Sequence, residues 1–271
     1  LNRIAEPPST LHQGHLRDAN QALLLAALRA QDAGDEARQE HDRQADFLHR
    51  LAHELRAPLA PLRTVVSLLG HTKGSEHMPA VQRVIERQVM HLAQMVEDLL
   101  DAARMRTGKL SLRIARVDLQ EVLSASLQTC QAAVALREQS LDVNVPALPL
   151  ALHGDPVRLT QVFSNLLSNA SKYTPRGGHI ELSVTVQSGH ARISVTDNGI
   201  GITPQAIDSI FDAYVQEPHA VRHDDSGLGL GLTLARELVL AHSGSIRASS
   251  AGLGCGTRFD VLLPLTGEPD G

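Results

Sequence analysis

The sequence predicts an α+β protein in two structural parts. A helical hairpin that pairs with a second copy into a four-helix bundle comes first, followed by an α/β sandwich on a mixed sheet. Three observations carry this. Apolar residues recur at helical spacing across residues 15–105, and past Thr107-Gly108 the period changes to strand alternation interleaved with helices. Aromatics make up only 2% of the chain with no Trp, so its cores are aliphatic.

The 271 residues, 42% hydrophobic and 20% charged, suffice for two ordinary domains and exclude a disordered chain. A formal charge of −5 leaves no electrostatic footprint for nucleic acid. Two cysteines, Cys130 and Cys255, build no disulfide framework, which points to a reducing, cytoplasmic setting. The apolar run Ala22–Leu28 falls far short of the roughly 20 residues a membrane span needs. The chain starts on Leu1, so a fragment is expected, with a sensor or membrane segment removed upstream.

Three segments follow: 1–44, 45–106 and 107–267. Residues 15–44 read as a helix feeding the hairpin, with heptads too weak for a long coiled coil. In the hairpin, Phe47, Leu48, Leu51, Leu55, Pro58, Leu59, Leu62, Val65, Val66 and Leu69 share one stripe of the first helix. Gly70–Pro79 is the turn, and Val81, Ile85, Leu92, Met95, Val96 and Leu99 line the second helix. Two such helices cannot enclose a core, whereas four can, hence a homodimer. In the third segment Leu110–Val117 alternates as a strand, and Asp118-Leu-Gln-Glu121 is a capping box opening a helix to about Gln139. Asp155-Pro156 starts another helix. Ile180–Val186 and Ala191–Thr196 form a hairpin about Ser188-Gly189, Thr203-Pro204 opens a short helix, and Leu230–His242 is a longer one. Ser245–Ala248 and Thr257–Leu263 close the sheet.

His53 differs from the other histidines by its place. Two residues past Leu51 it points roughly 200° from the apolar stripe, toward solvent. Glu54 can take a proton from its near nitrogen and leave the far lone pair free as a nucleophile. Pro58, inside the helix, predicts a bend beside it. His49 and His53 have metal-ligand spacing, as do His219 and His223, but Ala57 stands where a zincin would need histidine and no third ligand is evident.

After Asp155, one helix stripe carries Arg158, Gln161, Asn165, Asn169 and Lys172 opposite an apolar face, a pattern better explained by a polar ligand than by solvent. Asn169 can offer an amide oxygen to Mg²⁺, with Lys172 facing phosphates. Asp197, at a strand end before Gly199 and Gly201, can accept from an exocyclic amine such as that of adenine, and taken alone Asn198-Gly199 reads equally well as an ordinary turn. Gly227-Leu-Gly-Leu-Gly-Leu232 presents unpaired helix-start amides to phosphate. None of these motifs is specific alone, and their order on one α/β domain gives them force.

Residues 45–265 resemble the catalytic core of a sensor histidine kinase, a dimerisation and histidine-phosphotransfer hairpin followed by an ATP-binding domain of the Bergerat fold. His53–Pro58 is similar to the H-box, Asn165–Tyr173 to the N-box, Asp197–Gly201 to the G1 box, Ile210–Tyr214 to the F-box, Gly227–Gly231 to the G2 box, and Gly254–Phe259 to the terminal glycine-threonine signature. The resemblance implies that ATP phosphorylates His53 with Glu54 as general base, before transfer to an aspartate on the receiver domain of a response regulator. It implies Asn169 as Mg²⁺ ligand and Asp197 as adenine reader. Further nucleotide contacts follow from Asn165, Lys172, Tyr173, Gly199, Gly201, Ile202 and Thr257, and from Gly227, Leu228, Gly229, Leu230 and Gly231. Val215–Ser226 is then a mobile lid in which Arg222 meets the γ-phosphate. The chain departs from the pattern at Tyr214, at Ser226 and at Ala57, where the family usually has Thr or Asn to position a hydrolytic water, so weak phosphatase activity is expected. An ATPase of the wider superfamily and a non-catalytic partner-binding module are the competing readings, opposed by the His53-Glu54 hairpin and by intact Asn169 and Asp197 respectively.

Overall fold

A computed structural model of the chain describes residues 29–31, 34–35, 38, 41, 45, 49, 51–52, 55–66, 78–106, 110–212 and 229–266. The chain separates into two compact units, Leu1–Ala52 and His53–Gly271. In the first, the described residues are helical, and Arg38 pairs with Asp35 one turn earlier at 3.1 Å on the surface.

The second unit opens with helical residues 55–66, in which Pro58 and Val65 are buried and Ala57 is exposed. The bend expected at Pro58 falls against residue 54, outside the described residues. Helix α1, Met78–Arg106, runs 29 residues with Pro79 in its first turn, where the missing N–H costs nothing. The turn expected at residues 70–77 lies outside the described residues. Met95 is buried, whereas Val89, Met90, Val96 and Leu100 stay exposed on α1.

The remaining elements are β1 (Ala115–Asp118), α2 (Leu119–Leu136), β2 (Ser140–Asn144), β3 (Ala151–Gly154), α3 (Pro156–Tyr173), β4 (His179–Gln187), β5 (His190–Asp197), α4 (Gly231–Ala241), β6 (Ser245–Ser249) and β7 (Thr257–Pro264). A five-stranded sheet has the order β2-β4-β5-β7-β6, and β1 pairs with β3 in a small antiparallel sheet. The β2–β4 pair is parallel and every other pair antiparallel, so the sheet is mixed. Alternate residues of β4, β5 and β7, from Ile180, Leu182, Val195 and Ile193 to Phe259 and Val261, point into one core with Leu123 of α2, Phe163 and Leu166 of α3 and Leu238 of α4. Between β4 and β5, Ser188 and Gly189 both take positive φ (52° and 75°), which suits a two-residue hairpin turn.

Several expectations change. The strand expected from Leu110 is regular only from Ala115, and α2 stops at Leu136 because Glu138 adopts positive φ (53°). The Asp118 carboxylate caps α2 through the Gln120 amide at 3.0 Å. Thr203-Pro204 opens consecutive turns in place of a helix, with short-range bonds such as Ala206 N–H to Thr203 O and Asp212 N–H to Ser209 O. Strands β2 and β3 were not expected.

The start of α3 follows the expected chemistry and extends it. Asp155 Oδ1 accepts from the amides of Val157 (3.1 Å) and Arg158 (3.3 Å), while Oδ2 accepts from the Arg113 amide at 2.9 Å. The Asp155 N–H donates to Nε2 of buried His242 at 2.9 Å, so the His242 ring proton sits on Nδ1 and is directed to Leu238 O at 2.7 Å. Burial by itself raises the Asp155 pKa, but the Arg113, Arg158 and Val157 amides and the Arg158 charge together bring it below its ordinary 3.8. Replacing Asp155 with Ala is expected to lower unfolding free energy by about 1–2 kcal/mol at neutral pH. A depressed folded pKa means that this contribution is complete above 3.8 and is lost as pH falls through the folded value. Urea titrations of both proteins should therefore show a gap at neutral pH that closes well below 3.8; a gap unchanged in acid contradicts it.

Candidate functional site

The site is assembled on the C-terminal half of α3. Its last turn is held by Gln139, whose side-chain N–H groups reach Ser171 O (2.9 Å) and Thr174 O (2.8 Å), while the Ser171 hydroxyl donates to Gln139 Oε1 at 2.7 Å. The carbonyl of Tyr173 is thereby placed to accept from the Ile200 amide at 3.1 Å, docking the Asp197–Gly201 loop on the helix end. The approach is close: a Cβ on Gly199 would lie 2.4 Å from Tyr173 O. Gly201 has φ +70°, and a Cβ there would lie 2.1 Å from the Gly252 carbonyl oxygen, so both conformation and space require glycine.

Asp197 ends β5, opposite Ile180 of β4 and Thr257 of β7. It is buried, and Oδ1 accepts from the amides of Gly199 (2.8 Å) and Thr257 (3.2 Å). Oδ2 has no partner among the described residues. Burial pushes the Asp197 carboxyl above its ordinary value, and the two amide bonds oppose that rise. The arrangement is an oriented carboxylate with one oxygen engaged and one available.

Asn165 joins the two phosphate-type motifs: its Nδ2 donates to Gly231 O at 3.2 Å. Gly231 begins α4, preceded by Gly229 (φ +68°) and Leu230, and no side chain caps this helix start. Its first amides remain for an anion. Asn169 lies half-buried on the same stripe, and its amide has no hydrogen-bond partner among the described residues. Lys172 Nζ sits 5.1 Å from the centre of the Tyr173 ring, whose hydroxyl pKa is raised by burial. Among the described residues no three His, Cys, Asp or Glu side chains cluster as a metal site. The half-buried Asn169 amide oxygen is the hard oxygen donor on this stripe that would suit Mg²⁺, an ion that takes few protein ligands when phosphates supply the rest.

The stripe divides where one ligand face was expected. Arg158 and Gln161 turn to α1: the Arg158 guanidinium grips Asp101 with both prongs, Nη2 to Oδ1 at 2.9 Å and Nη1 to Oδ2, and Gln161 Nε2 donates to the same carboxylate at 3.2 Å. These two residues serve the contact with the hairpin helix and do not face the nucleotide stripe.

Other supports were not expected from sequence. Ser250 Oγ accepts from the Ile202 amide at 3.1 Å and donates to Gly256 O at 2.7 Å, tying the loop before β7 to the Asp197 loop. Asn198 Oδ1 accepts from the His179 amide at 2.8 Å. Phe211 packs edge-on against Phe259, with centroids 6.2 Å apart, beneath the Arg236 guanidinium. A serine among glycines (residues 250–256) is a turn signal, but its partners are not readable locally. His53, Glu54, Arg222, Gly227 and Leu228, with the lid expected over Val215–Ser226, lie outside the described residues.

Residues 154–267 match the family model described as "Histidine kinase-, DNA gyrase B-, and HSP90-like ATPase", and residues 43–108 match the "His Kinase A (phospho-acceptor) domain". The signal transduction histidine-protein kinase/phosphatase MprB of Mycobacterium avium is 33% identical over 237 residues, spanning 83% of this chain and 44% of that protein. The adaptive-response sensory kinase SasA of a Synechococcus strain is 30% identical over 266 residues, spanning 96% of this chain and 68% of that protein. The crystal structure of full-length ShkA in complex with AMPPNP is similar with a TM-score of 0.60 and 29% identity, covering 81% of this chain and 45% of that one. The chain spans less than half the length of the first curated relatives it matches. With a phospho-acceptor match ahead of an ATPase match, and 30% identity across two thirds of a sensory kinase, the chain belongs to the sensor histidine kinase family and carries its catalytic core.

Proposed function

We propose that this chain phosphorylates His53 from Mg²⁺-ATP and passes the phosphoryl group to an aspartate on the receiver domain of a response regulator. The observation that carries the reading is the pairing of Asp197, with Oδ2 available at the end of β5, and the uncapped start of α4 latched to α3 by Asn165. Adenine recognition at one end and phosphate binding at the other suit one nucleotide. Residues 1–44 are read as the signal-transmitting helix, 45–106 as the dimerisation and phosphotransfer hairpin, and 107–267 as the ATP-binding domain, working where ATP is available in the cytoplasm. Among the described residues no helix is long and apolar enough to cross a membrane.

Asp197 Oδ2 accepts the adenine amine while Gly199 and Gly201 let backbone approach the ring. The amides of Gly229, Leu230 and Gly231 and the Lys172 ammonium hold phosphate oxygens. Asn169 would hold Mg²⁺, which would supply charge neutralisation on the phosphates. Glu54 accepts the proton of the near imidazole nitrogen so that the other attacks the γ-phosphorus. The bond from that phosphorus to the β–γ bridging oxygen breaks and ADP leaves with the electron pair, and Arg222 stabilises the charge on the transferring γ-phosphoryl group. The exposed apolar residues of α1, Met90 at 73% and Val89 at 51% among them, support a homodimer in which a second hairpin covers them. Ala57 is exposed, and a methyl there holds no water for hydrolysis.

Incubation with γ-labelled ATP should give acid-labile, base-stable label that disappears in His53→Gln; no label in the wild type, or label kept in that variant, contradicts the kinase reading. Nucleotide affinity should fall with pH already above the ordinary carboxylate range, because a proton on Asp197 Oδ2 turns an acceptor into a donor facing the amine. In Asp197→Asn the two amide donors hold the side-chain oxygen, so nitrogen faces the amine and calorimetry should read binding roughly 10- to 100-fold weaker without that pH dependence. Ala57→Thr should speed dephosphorylation of a receiver domain that accepts label from this protein by about tenfold, with the kinase step unchanged; an unaltered rate removes Ala57 as the cause of weak phosphatase activity.

A further inference from the structure

We infer that Arg158 is a positioning residue for phosphoryl transfer, through a pivot it forms with Asp101 between the hairpin helix and the nucleotide-binding helix. This rests on the kinase reading above. Asp101 is a fully buried carboxylate, an arrangement that requires its charge to be met, and three side chains meet it: the bidentate Arg158 guanidinium, Gln161 Nε2 at 3.2 Å and Arg104 of its own helix at 3.7 Å. Arg158 Nη1 also donates to Gln161 Oε1 at 2.9 Å, which fixes the fork in one plane.

The place of this contact gives it a role. Asp101 lies in the last turns of α1, which ends at Arg106, close to the connector that leads into the nucleotide-binding domain at Leu110. Met105 of the same turns packs on that domain's core. On the other side, α3 carries Arg158 near its start and Asn169 eleven residues later, roughly 16 Å along a rigid helix. Rotation about a contact beside the connector therefore moves the paired groups little and the phosphate cradle a long way. The Asp101–Arg158 pair can stay closed while the cradle swings, and it restricts the swing to one arc. Without it the donor samples orientations from which the acceptor imidazole is out of reach.

The test compares wild type, Arg158→Met and Arg158→Lys on two readings. The first is autophosphorylation kinetics. The second is the distance distribution between spin labels on Arg83→Cys of α1 and Val186→Cys of β4, both exposed, in a Cys255→Ser background and diluted with unlabelled protein so that each assembly carries one labelled chain. We expect the distribution in Arg158→Met to be clearly broader than that of the wild type, whose swing is confined to one arc. The methionine variant should lose roughly tenfold or more in kcat with KM for ATP kept within about twofold, and Arg158→Lys should fall between. If Arg158→Met does not fold because Asp101 is left uncompensated, the double variant Asp101→Leu/Arg158→Met is measured with the same expectations. Label in the wild type together with a distribution in Arg158→Met no broader than the wild type's, an equal or faster rate, or a KM that rises as kcat falls overturns the role alone. No label in any variant, wild type included, overturns the kinase reading and this role with it.

Discussion

Helix α3 is immobilised at both ends, and the rest of the site depends on that constraint. At its start, Asp155 satisfies three backbone amides, and its own N–H is taken by buried His242 of the segment that follows α4. At its end, Gln139 occupies carbonyls that helix geometry leaves unpaired, through a reciprocal bond with Ser171. Between these anchors the apolar face, Leu159, Val162, Phe163, Leu166 and Leu167, is wholly buried against the sheet and its neighbouring helices. The opposite polar face is therefore held against the sheet at both ends of the helix, and groups projecting from it are placed in advance of any ligand.

That placement explains how weak motifs far apart in sequence converge. Asn165 reaches Gly231, the Tyr173 carbonyl receives Ile200, and Ile200 O in turn accepts the Gly254 amide at 2.7 Å. One helix thus fixes the phosphate-binding helix start and the Asp197 loop. Near its start the same helix reaches Asp101 through Arg158, so the helix that sets the nucleotide cradle also meets the hairpin.

Legibility in the sequence followed the range of the interactions. Asp155-Pro156 and Ser188-Gly189 were readable because caps and two-residue turns are decided by neighbours. Strands β4, β5 and β7 were readable because one face is buried and the residues alternate accordingly. Strand β2 was not, since it is a mostly exposed sheet edge whose residues Ser140-Leu-Asp-Val-Asn144 show no buried face. Thr203-Pro204 carried a helix-start signal, yet its segment settles into consecutive short turns. Asn165, Asn169 and Lys172 were legible as a stripe, but nothing local separated them from Arg158 and Gln161, whose partner Asp101 stands 57 residues before Arg158. Gln139 and Ser250 were invisible for the same reason: their roles consist of bonds to backbone brought near only by the fold.

Helix α3 is thus a preset strut, expected to receive a nucleotide without rearranging. A crystal structure of the protein with Mg²⁺ and a non-hydrolysable ATP analogue tests this most directly. It should place the adenine amine on Asp197 Oδ2 and the phosphates at Gly229–Gly231, with Mg²⁺ on Asn169 and the Asp155, Gln139 and Asn165 bonds of α3 unchanged. A nucleotide bound elsewhere, or at this site only after those anchoring bonds break, would contradict it.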